Sequence, residues 1–248
     1  MARTALLRRL TWQDATISEV RPESATGTSL RLDVEDWPGH RAGQHVDVRL
    51  TAPGGYTAVR PYSLASPGGS GIVEITVDTT PGGEVSPYLA HSAHSGHHVE
   101  VRGPLGNWFV WDVTDPDPVQ LVAGGSGVVP LMSMLRTHRD AGHPGVMRLL
   151  YSLAGPENLL YREELTELAA SGAVTFLYTR QAPPGHPRPP GRLTLVDVAE
   201  HALPAAARPA CFVCGPTGFV ETVLNRLVGL GYDPGRIRAE RYGERTTP

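Results

Sequence analysis

The hydrophobic pattern changes its period near the middle of the chain. Before residue 112, short runs alternate apolar with polar residues, and Gly, Pro, Asp and Ser separate the runs. After residue 118, continuous apolar runs are followed by segments whose apolar residues recur at helical spacing. The first pattern is typical of half-buried strands, and the second is typical of strand–helix units in a parallel sheet. The acidic, proline-bearing connector at 112–118 therefore predicts two domains, at 1–113 and 114–248.

Six predicted strands make up most of the first domain, which favours a small antiparallel barrel. We expect these strands at 11–20, 28–34, 45–50, 61–65, 72–79 and 99–102, with one helix beginning near Ser86. In the second domain we expect strands at 119–123, 147–153, 174–178 and 210–214, and helices at 128–139, 161–170, 193–201 and 218–230. The predicted fold class is thus β followed by α/β: a six-stranded antiparallel barrel, then a parallel-sheet domain.

The charged residues exclude some classes of function. A formal net charge of −3 gives no basic surface for nucleic acid. All 22 basic residues are arginine, so a lysine Schiff base is excluded and phosphate would be bound by Arg, backbone amides or hydroxyls. No apolar run is long enough for a membrane helix or a signal peptide. We therefore expect a cytoplasmic protein without membrane insertion, and a monomer.

Two cysteines, Cys211 and Cys214, lie in an apolar run that is typical of a buried strand. Residues three apart on a strand face opposite sides, so we expect no disulfide between them. Two thiolates are also too few for an iron–sulfur cluster, which takes four protein ligands. The histidine-rich stretch 91–98 contains no carboxylate or cysteine to complete a metal site, and we predict no metal there.

The stretch 60–66, Arg-Pro-Tyr-Ser-Leu-Ala-Ser, combines a cation, an aromatic ring and hydroxyl groups. Strand alternation sends Arg60 and Tyr62 to one face, and Pro61 and Ser63 to the other. A guanidinium suits phosphate, and a flat ring beside a small hydroxyl suits an aromatic cofactor. Taken alone, the stretch favours the plainer interpretation of an ordinary strand with an exposed Arg–Tyr pair.

Three glycine-containing turns follow at positions that suit an anion. Residues 81–86 open a predicted helix, where backbone amides and the Ser86 hydroxyl could cap the helix and bind phosphate. Residues 123–130 lie between an apolar strand and a helix, which fits a dinucleotide pyrophosphate although the Gly-x-Gly-x-x-Gly fingerprint is absent. Residues 214–218 end another strand and should face the same crevice. Each of the three is also compatible with a purely structural turn.

Two arginines and a cysteine extend this pattern. Arg180 and Arg192 follow the third predicted strand of the second domain and could bind the 2′-phosphate of an adenosine ribose. Solvated loop arginines are the alternative interpretation. Cys214 could contact a nicotinamide, or it could be only a small buried residue.

The order of these motifs resembles the ferredoxin–NADP(+) reductase superfamily. It runs Arg-Pro-Tyr-Ser, Gly-Gly-Glu-Val-Ser, Gly-Gly-Ser-Gly-Val-Val-Pro and Cys-Gly-Pro-Thr-Gly, and it ends with Glu240-Arg241-Tyr242-Gly243. The resemblance covers nearly the whole chain, and five motifs in this order on a β-then-α/β layout are specific. It implies that the first domain binds FAD, with FMN as the alternative, and that the second domain binds NADPH or NADH.

The resemblance also implies roles for single residues. Arg60 would hold the flavin pyrophosphate, Tyr62 would pack on the isoalloxazine, and Ser63 would hydrogen-bond near N5. Cys214 would position the nicotinamide, and Glu240 would assist proton or electron transfer. The other flavin-binding residues would be Pro61, Val77, Gly82, Gly83, Val85, Ser86 and Tyr242, and the other NAD(P)-binding residues would be Gly124, Gly125, Ser126, Gly127, Val128, Ser152, Arg180, Arg192, Gly215 and Pro216.

Two positions depart from the family pattern. Val129 stands where relatives often carry a threonine before the proline of the glycine turn, so a hydroxyl contact is absent. Ala154 stands near a position where relatives often carry an arginine for the 2′-phosphate. The second departure weakens the case for NADPH, whereas Arg180 and Arg192 support it. We expect NADPH to be preferred over NADH.

The implied activity is that of an NAD(P)H-dependent flavoprotein reductase. Electrons would pass from NAD(P)H through FAD to a separate ferredoxin, cytochrome P450 or oxygenase component, because the cysteines of a fused [2Fe–2S] domain are lacking. A free-flavin or quinone reductase is one alternative. A flavin-binding sensor or electron-transfer module without turnover is another, although such a module would not need the second domain.

Overall fold

The computed structural model describes residues 10–52, 54–79 and 85–243. Alternating apolar residues build the first domain, because the inward-facing Ile17, Leu30 and Val46 are fully buried in one core. All strand pairings in this domain are antiparallel, in the order β4-β3-β6-β1-β2-β5. The strands are β1 (Gln13–Pro22), β2 (Gly27–Val34), β3 (His45–Thr51), β4 (Thr57–Ser63), β5 (Val73–Asp78) and β6 (His98–Leu105).

A short seam closes this sheet between its two outer strands. Leu64, directly after β4, forms an antiparallel bridge to Ile75 of β5. The next amide, that of Ala65, donates to the Glu74 carbonyl at 2.7 Å. Helix α1 (Val85–His91) packs on the same core through its buried residues. The predicted six-stranded antiparallel domain is confirmed.

The second domain is a five-stranded parallel sheet in the order β11-β10-β7-β8-β9. Every residue of the central strand β7 is buried, as its continuous apolar run predicts. The predicted α/β architecture is therefore confirmed. The strands are β7 (Val119–Gly124), β8 (Met147–Leu153), β9 (Val174–Tyr178), β10 (Ala210–Pro216) and β11 (Ile237–Tyr242), and the helices are α2 (Val128–Asp140), α3 (Arg162–Ala170), α4 (Leu195–His201) and α5 (Thr217–Gly229).

Two strands differ most from the sequence prediction. β4 begins at Thr57 because it forms a hairpin with β3, in which Thr51 pairs with Thr57 and Gly55 takes a positive φ of 82° in the turn. β11 is not predicted by the pattern at all. It lies at the edge of the sheet, none of its six residues is fully buried, and its sequence therefore carries no apolar run.

The two domains share part of one hydrophobic core. Ala42, Ala65, Phe109 and Trp111 precede the connector, yet they are buried in the same cluster as the apolar residues of α2. This shared cluster makes the interface between the domains continuous with the interior of the second domain. Among the described residues, no helix combines the length and apolar character that a membrane crossing requires.

The cysteines and histidines are arranged as follows. Cys211 and Cys214 are both free and buried, which confirms the prediction that they form no disulfide. In the histidine-rich stretch, the ring centroids of His94 and His97 lie 3.4 Å apart, and the ring of Tyr88 stacks on that of His97. No group of three or more side chains suited to a metal ion occurs in the described ranges.

Candidate functional site

A cavity of about 440 Å³ lies where the two domains meet. The first domain lines it with the end of β4 and with β5, and the second domain lines it with the glycine turn before α2 and with β11. This volume falls within the range of sites that hold cofactors and other small molecules. Its lining residues are His45, Pro61, Tyr62, Ser63, Thr76, Asp78, Ser126, Val129, Glu240, Arg241 and Tyr242.

The β4 residues fit a flavin with a phosphate-bearing tail. The Tyr62 ring lies in the wall of the cavity, and its hydroxyl lies 3.0 Å from the Ser86 hydroxyl, so two motifs 24 residues apart meet here. Among the described residues, the Arg60 side chain makes no ion pair, and it donates a hydrogen bond to the adjacent Val59 carbonyl at 2.8 Å. An exposed guanidinium without a carboxylate partner suits a pyrophosphate. Ser63 ends the strand at the cavity.

Helix α1 approaches this wall from the other side. Val85 is buried in the barrel core, and Ser86 lies inside the helix, not at the capping position before it. The predicted N-cap role of Ser86 is therefore wrong, while its hydroxyl is placed beside Tyr62. The predicted flavin-binding residues Gly82 and Gly83 lie outside the described residues.

β5 turns polar residues toward the cavity. Val77 is fully buried in the barrel core, so its side chain does not line the cleft. Its neighbours Thr76 and Asp78 line the cleft instead, because successive residues of a strand face opposite sides. A contact between Val77 and the flavin stays a prediction, and the sequence does not single out Thr76 and Asp78.

The glycine turn before α2 is fixed by close backbone approaches. A Cβ atom on Gly127 would lie 2.2 Å from the Cys214 carbonyl oxygen, so only glycine fits there. Cβ atoms on Gly124 and Gly215 would overlap the Phe219 ring at 2.6 and 2.7 Å. These glycines bring the ends of β7 and β10 together at one edge of the sheet, where ligands of open α/β sheets bind. Val128, the first residue of α2, is fully buried.

Tyr242 lies against this turn. Its hydroxyl accepts a hydrogen bond from the Gly127 amide at 2.8 Å and donates one to the Gly124 carbonyl. The prediction placed Tyr242 beside the flavin ring. The structure places the hydroxyl at the dinucleotide turn, with Tyr242 also lining the cavity that Tyr62 and Ser63 share.

The backbone carbonyl of Cys214, and not its thiol, lies against Gly127 of the glycine turn. Its side chain is only 2% exposed, and burial raises the pKa of the thiol well above its ordinary value. The thiol is therefore neutral at physiological pH and packs in the core of the second domain. Gly215 and Pro216 complete β10 and pair with Arg241 and Tyr242 of β11. Contact between Cys214 and a nicotinamide stays a prediction.

Glu240 is the acidic group of the cavity contributed by the second domain. It pairs in register with Cys214, and no described side chain forms an ion pair or hydrogen bond with its carboxylate. Burial raises the pKa of this carboxyl from 4.5 to about 7. A carboxyl with this pKa can hold or release a proton near neutral pH, which suits a proton-transfer role.

The raised pKa predicts a pH-dependent stability. The folded state holds the Glu240 proton more tightly than the unfolded state, so this stabilisation is present below pH 4.5 and is lost as the pH rises through about 7. Between pH 5 and pH 8, the unfolding free energy of the wild type should therefore fall by about 2 kcal/mol more than that of Glu240→Gln. Urea titrations at both pH values measure this difference. The exposed Glu200→Gln on α4 is the control, and an equal pH dependence in wild type and Glu240→Gln would refute the prediction.

The arginines predicted to bind the 2′-phosphate lie beyond the end of β9. Neither Arg180 nor Arg192 makes an ion pair with a described residue, and both are exposed. Arg188, which the sequence does not single out, pairs with Asp197 at 2.5 Å and holds the loop between them. Ser152 lies near the end of β8, is buried, and pairs with Gly124 of the glycine turn.

Two family models match the chain. An oxidoreductase FAD-binding domain matches residues 17–110, and an oxidoreductase NAD-binding domain matches residues 121–225. The two matches fall within the predicted ranges 1–113 and 114–248, and the boundary between 113 and 114 stays a prediction. They support FAD and a nicotinamide dinucleotide as the cofactors of the two domains.

The chain is similar to two reductases of known name. Ferredoxin–NADP reductase B from Sorangium cellulosum is 33% identical over 240 residues, which are 92% of this chain and 97% of that protein. The reductase component of naphthalene 1,2-dioxygenase/salicylate 5-hydroxylase systems from a Ralstonia species is 30% identical over 203 residues, or 81% of this chain. The match spans 60% of that longer relative.

A solved structure shows the same two-domain arrangement. The FAD/NAD-binding domain of a nitric oxide dioxygenase from Vibrio cholerae superposes with a TM-score of 0.82 at 26% identity, and the match covers 95% of this chain and 100% of that one. Together with the 33% identity across nearly the whole Sorangium protein, this likeness decides the family. The chain belongs to the ferredoxin–NADP(+) reductase superfamily of FAD- and NAD(P)-binding oxidoreductases.

Proposed function

We propose that the chain is an NAD(P)H-dependent flavoprotein reductase that passes electrons to a separate ferredoxin, cytochrome P450 or oxygenase component. The observation that carries the proposal is the shared cavity, in which Ser63 of the flavin strand and Ser126 of the dinucleotide turn line the same space. Cofactors bound to these two elements would meet there. The acceptor class follows the names of the similar proteins, a ferredoxin–NADP reductase and an oxygenase reductase component.

The residues divide the work of binding and orientation. A flavin held here would supply the capacity to accept a hydride and to release electrons singly. Arg60 binds the pyrophosphate, Tyr62 packs on the ring, and Ser63 donates a hydrogen bond to the reactive edge of the flavin. Gly127 leaves space for the dinucleotide to approach the start of α2. Glu240 holds a proton at the cleft near neutral pH.

The preference for NADPH rests on Arg180 and Arg192. Both are exposed cations beyond the end of β9, without a carboxylate partner among the described residues. A 2′-phosphate would supply the missing counter-charge. The ratio of kcat/KM for NADPH to that for NADH measures the preference, and a ratio below one would refute it.

The central test is spectroscopic. Purified protein should carry FAD, identified by mass spectrometry after release, and NADPH should bleach the flavin absorbance under anaerobic conditions. Reduction of cytochrome c should then require an added ferredoxin or oxygenase component. A protein that cannot be reconstituted with FAD would refute the proposal. Rapid reduction of free flavins or quinones without a protein acceptor would instead favour the free-flavin or quinone reductase.

Ser63→Ala should retain FAD but reduce it more slowly. Ser63 lies at the end of β4 on the cavity wall, whereas Arg60 and Tyr62 are proposed to bind the pyrophosphate and the flavin ring. Loss of one hydrogen bond to the reactive edge should slow hydride transfer about tenfold. Stopped-flow absorbance under anaerobic conditions measures the rate. The exposed Ser171→Ala serves as the control, and a wild-type rate in Ser63→Ala would show that β4 only holds the flavin.

A further inference from the structure

The middle of α2 forms hydrogen bonds with the segment that directly follows β4, the proposed flavin-binding strand. The Ser133 hydroxyl donates to the Ser66 carbonyl at 2.6 Å, in a buried position. One turn later, the Thr137 hydroxyl accepts a hydrogen bond from the Gly68 amide at 2.7 Å. Residues three and four apart share one face of a helix, so Ser133, Arg136 and Thr137 form a single polar face toward the first domain.

Arg136 is the centre of this face. Its guanidinium donates to the Ala65 carbonyl at 3.0 Å and to the Glu74 carboxylate at 2.7 Å, both in the first domain. The same group pairs with Glu164 of α3 and lies 5.1 Å from the centre of the Tyr161 ring. The Arg136 side chain is only 8% exposed. A buried cation shared by carboxylates of both domains fixes their relative position, because displacement would leave charges unpaired.

The contact falls on the seam of the barrel. Ala65 and Glu74 are the two residues whose backbone hydrogen bond follows the Leu64–Ile75 bridge. Arg136 therefore binds the backbone of one side of the seam and the side chain of the other. A second contact runs from Tyr161 to the cleft, since its hydroxyl donates to the Thr76 hydroxyl at 2.5 Å, and Thr76 lines the cavity.

The same helix begins at the dinucleotide turn. Gly127 directly precedes α2, and Arg136 lies nine residues further along, which corresponds to about 13 Å of helix. On the other side, Ala65 is two residues past Ser63. A helix of this kind does not stretch, so its polar face sets the separation between the turn and the reactive end of β4.

We infer that Arg136, together with Ser133 and Thr137, is a positioning device that holds the flavin-binding strand at the distance from the dinucleotide turn which hydride transfer requires. This inference rests on the proposed function. Arg136 touches neither cofactor site and acts through Ala65, Glu74 and the seam. Its loss should alter the geometry between bound cofactors more than the binding of either one.

Two variants test the inference on the FAD-loaded, full-length protein. Arg136→Lys keeps the charge but loses the forked contacts, and Ser133→Ala combined with Thr137→Val removes the two flanking hydrogen bonds without touching the buried charges. In both, FAD content and the dissociation constant for NADP+ should stay within about twofold of wild type. The rate of flavin reduction by NADPH should fall about tenfold, since small misplacements of reacting groups slow reactions strongly.

The control is Arg139→Gln. Arg139 lies on the same helix and also pairs with Glu164, at 3.2 Å, but it is exposed and makes no ion pair or hydrogen bond with a described residue of the first domain. This variant should reduce flavin at the wild-type rate. Wild-type rates in both test variants would overturn the inference, and so would a loss of FAD that accounts for the whole decrease in rate.

Hydrogen exchange separates this inference from the proposed function. Without nucleotide, peptides covering 64–70 should exchange at least about fivefold faster in both test variants than in wild type and Arg139→Gln. Arg136→Lys weakens the contact to the seam, and the double variant removes the acceptor of the Gly68 amide. Unchanged exchange would overturn the inference. A wild-type protein that NADPH cannot reduce would refute the proposed function, while faster exchange in the variants would still establish the contact across the seam.

Discussion

Arg60→Ala should lose FAD during purification and bind added FAD about 100-fold more weakly than wild type. Charge-assisted hydrogen bonds are the strongest polar contacts available to a pyrophosphate, and removal of a forked pair costs about 3 kcal/mol. Arg60 makes no ion pair with a described residue, so its removal leaves no carboxylate unpaired. The fold should therefore persist while the cofactor is lost.

Fluorescence quenching of FAD during titration measures the dissociation constant, and circular dichroism confirms the fold. Arg31→Ala provides the matched control, because Arg31 is an exposed arginine on another strand of the same barrel, β2. An unchanged dissociation constant in Arg60→Ala would show that the pyrophosphate binds elsewhere.

Gly127→Ala should both destabilise the fold and weaken NADP+ binding. The new Cβ would lie 2.2 Å from the Cys214 carbonyl oxygen and 2.5 Å from its carbon, and both are backbone atoms that no rotamer change can move. The start of α2 must then shift away from β10. We expect a loss of about 3 kcal/mol in unfolding free energy and little remaining affinity for NADP+.

Chemical denaturation measures the first effect, and calorimetric titration with NADP+ measures the second. Gly229→Ala, at the end of α5, is the control, since its Cβ would meet no atom within 4 Å and alanine is the better helix former. A Gly127→Ala protein as stable as Gly229→Ala would mean that the backbone of the turn relaxes without cost.

Local pattern predicts most of the architecture and little of its detail. The change of period identifies both domains because buried parallel strands and half-buried antiparallel strands have different sequence signatures. β11 escapes this reasoning, since an edge strand with no fully buried residue carries no apolar run. The start of β4 escapes it as well, because the hairpin register with β3 sets it.

The candidate site also contains some features that local sequence predicts and others that only tertiary contacts determine. Tyr62, Ser63 and Ser126, which line the cavity, belong to short motifs that the sequence singles out because their chemistry is unusual at those spacings. Thr76 and Asp78 are missed, because which face of β5 meets the cavity depends on the second domain. The position of the Tyr242 hydroxyl depends on a contact more than a hundred residues away along the chain. Motifs identify residue types, whereas faces and partners follow from the tertiary fold.

The barrel seam has a consequence for how such a chain can be divided. The first domain has an exposed strand edge wherever its two outer strands are not held together, and such edges invite pairing with other molecules. Here a helix of the other domain covers the seam, and Arg136 neutralises the carboxylate beside it. A fragment that ends at the connector would lose this cover and should aggregate. We therefore expect the two domains to unfold as one cooperative unit.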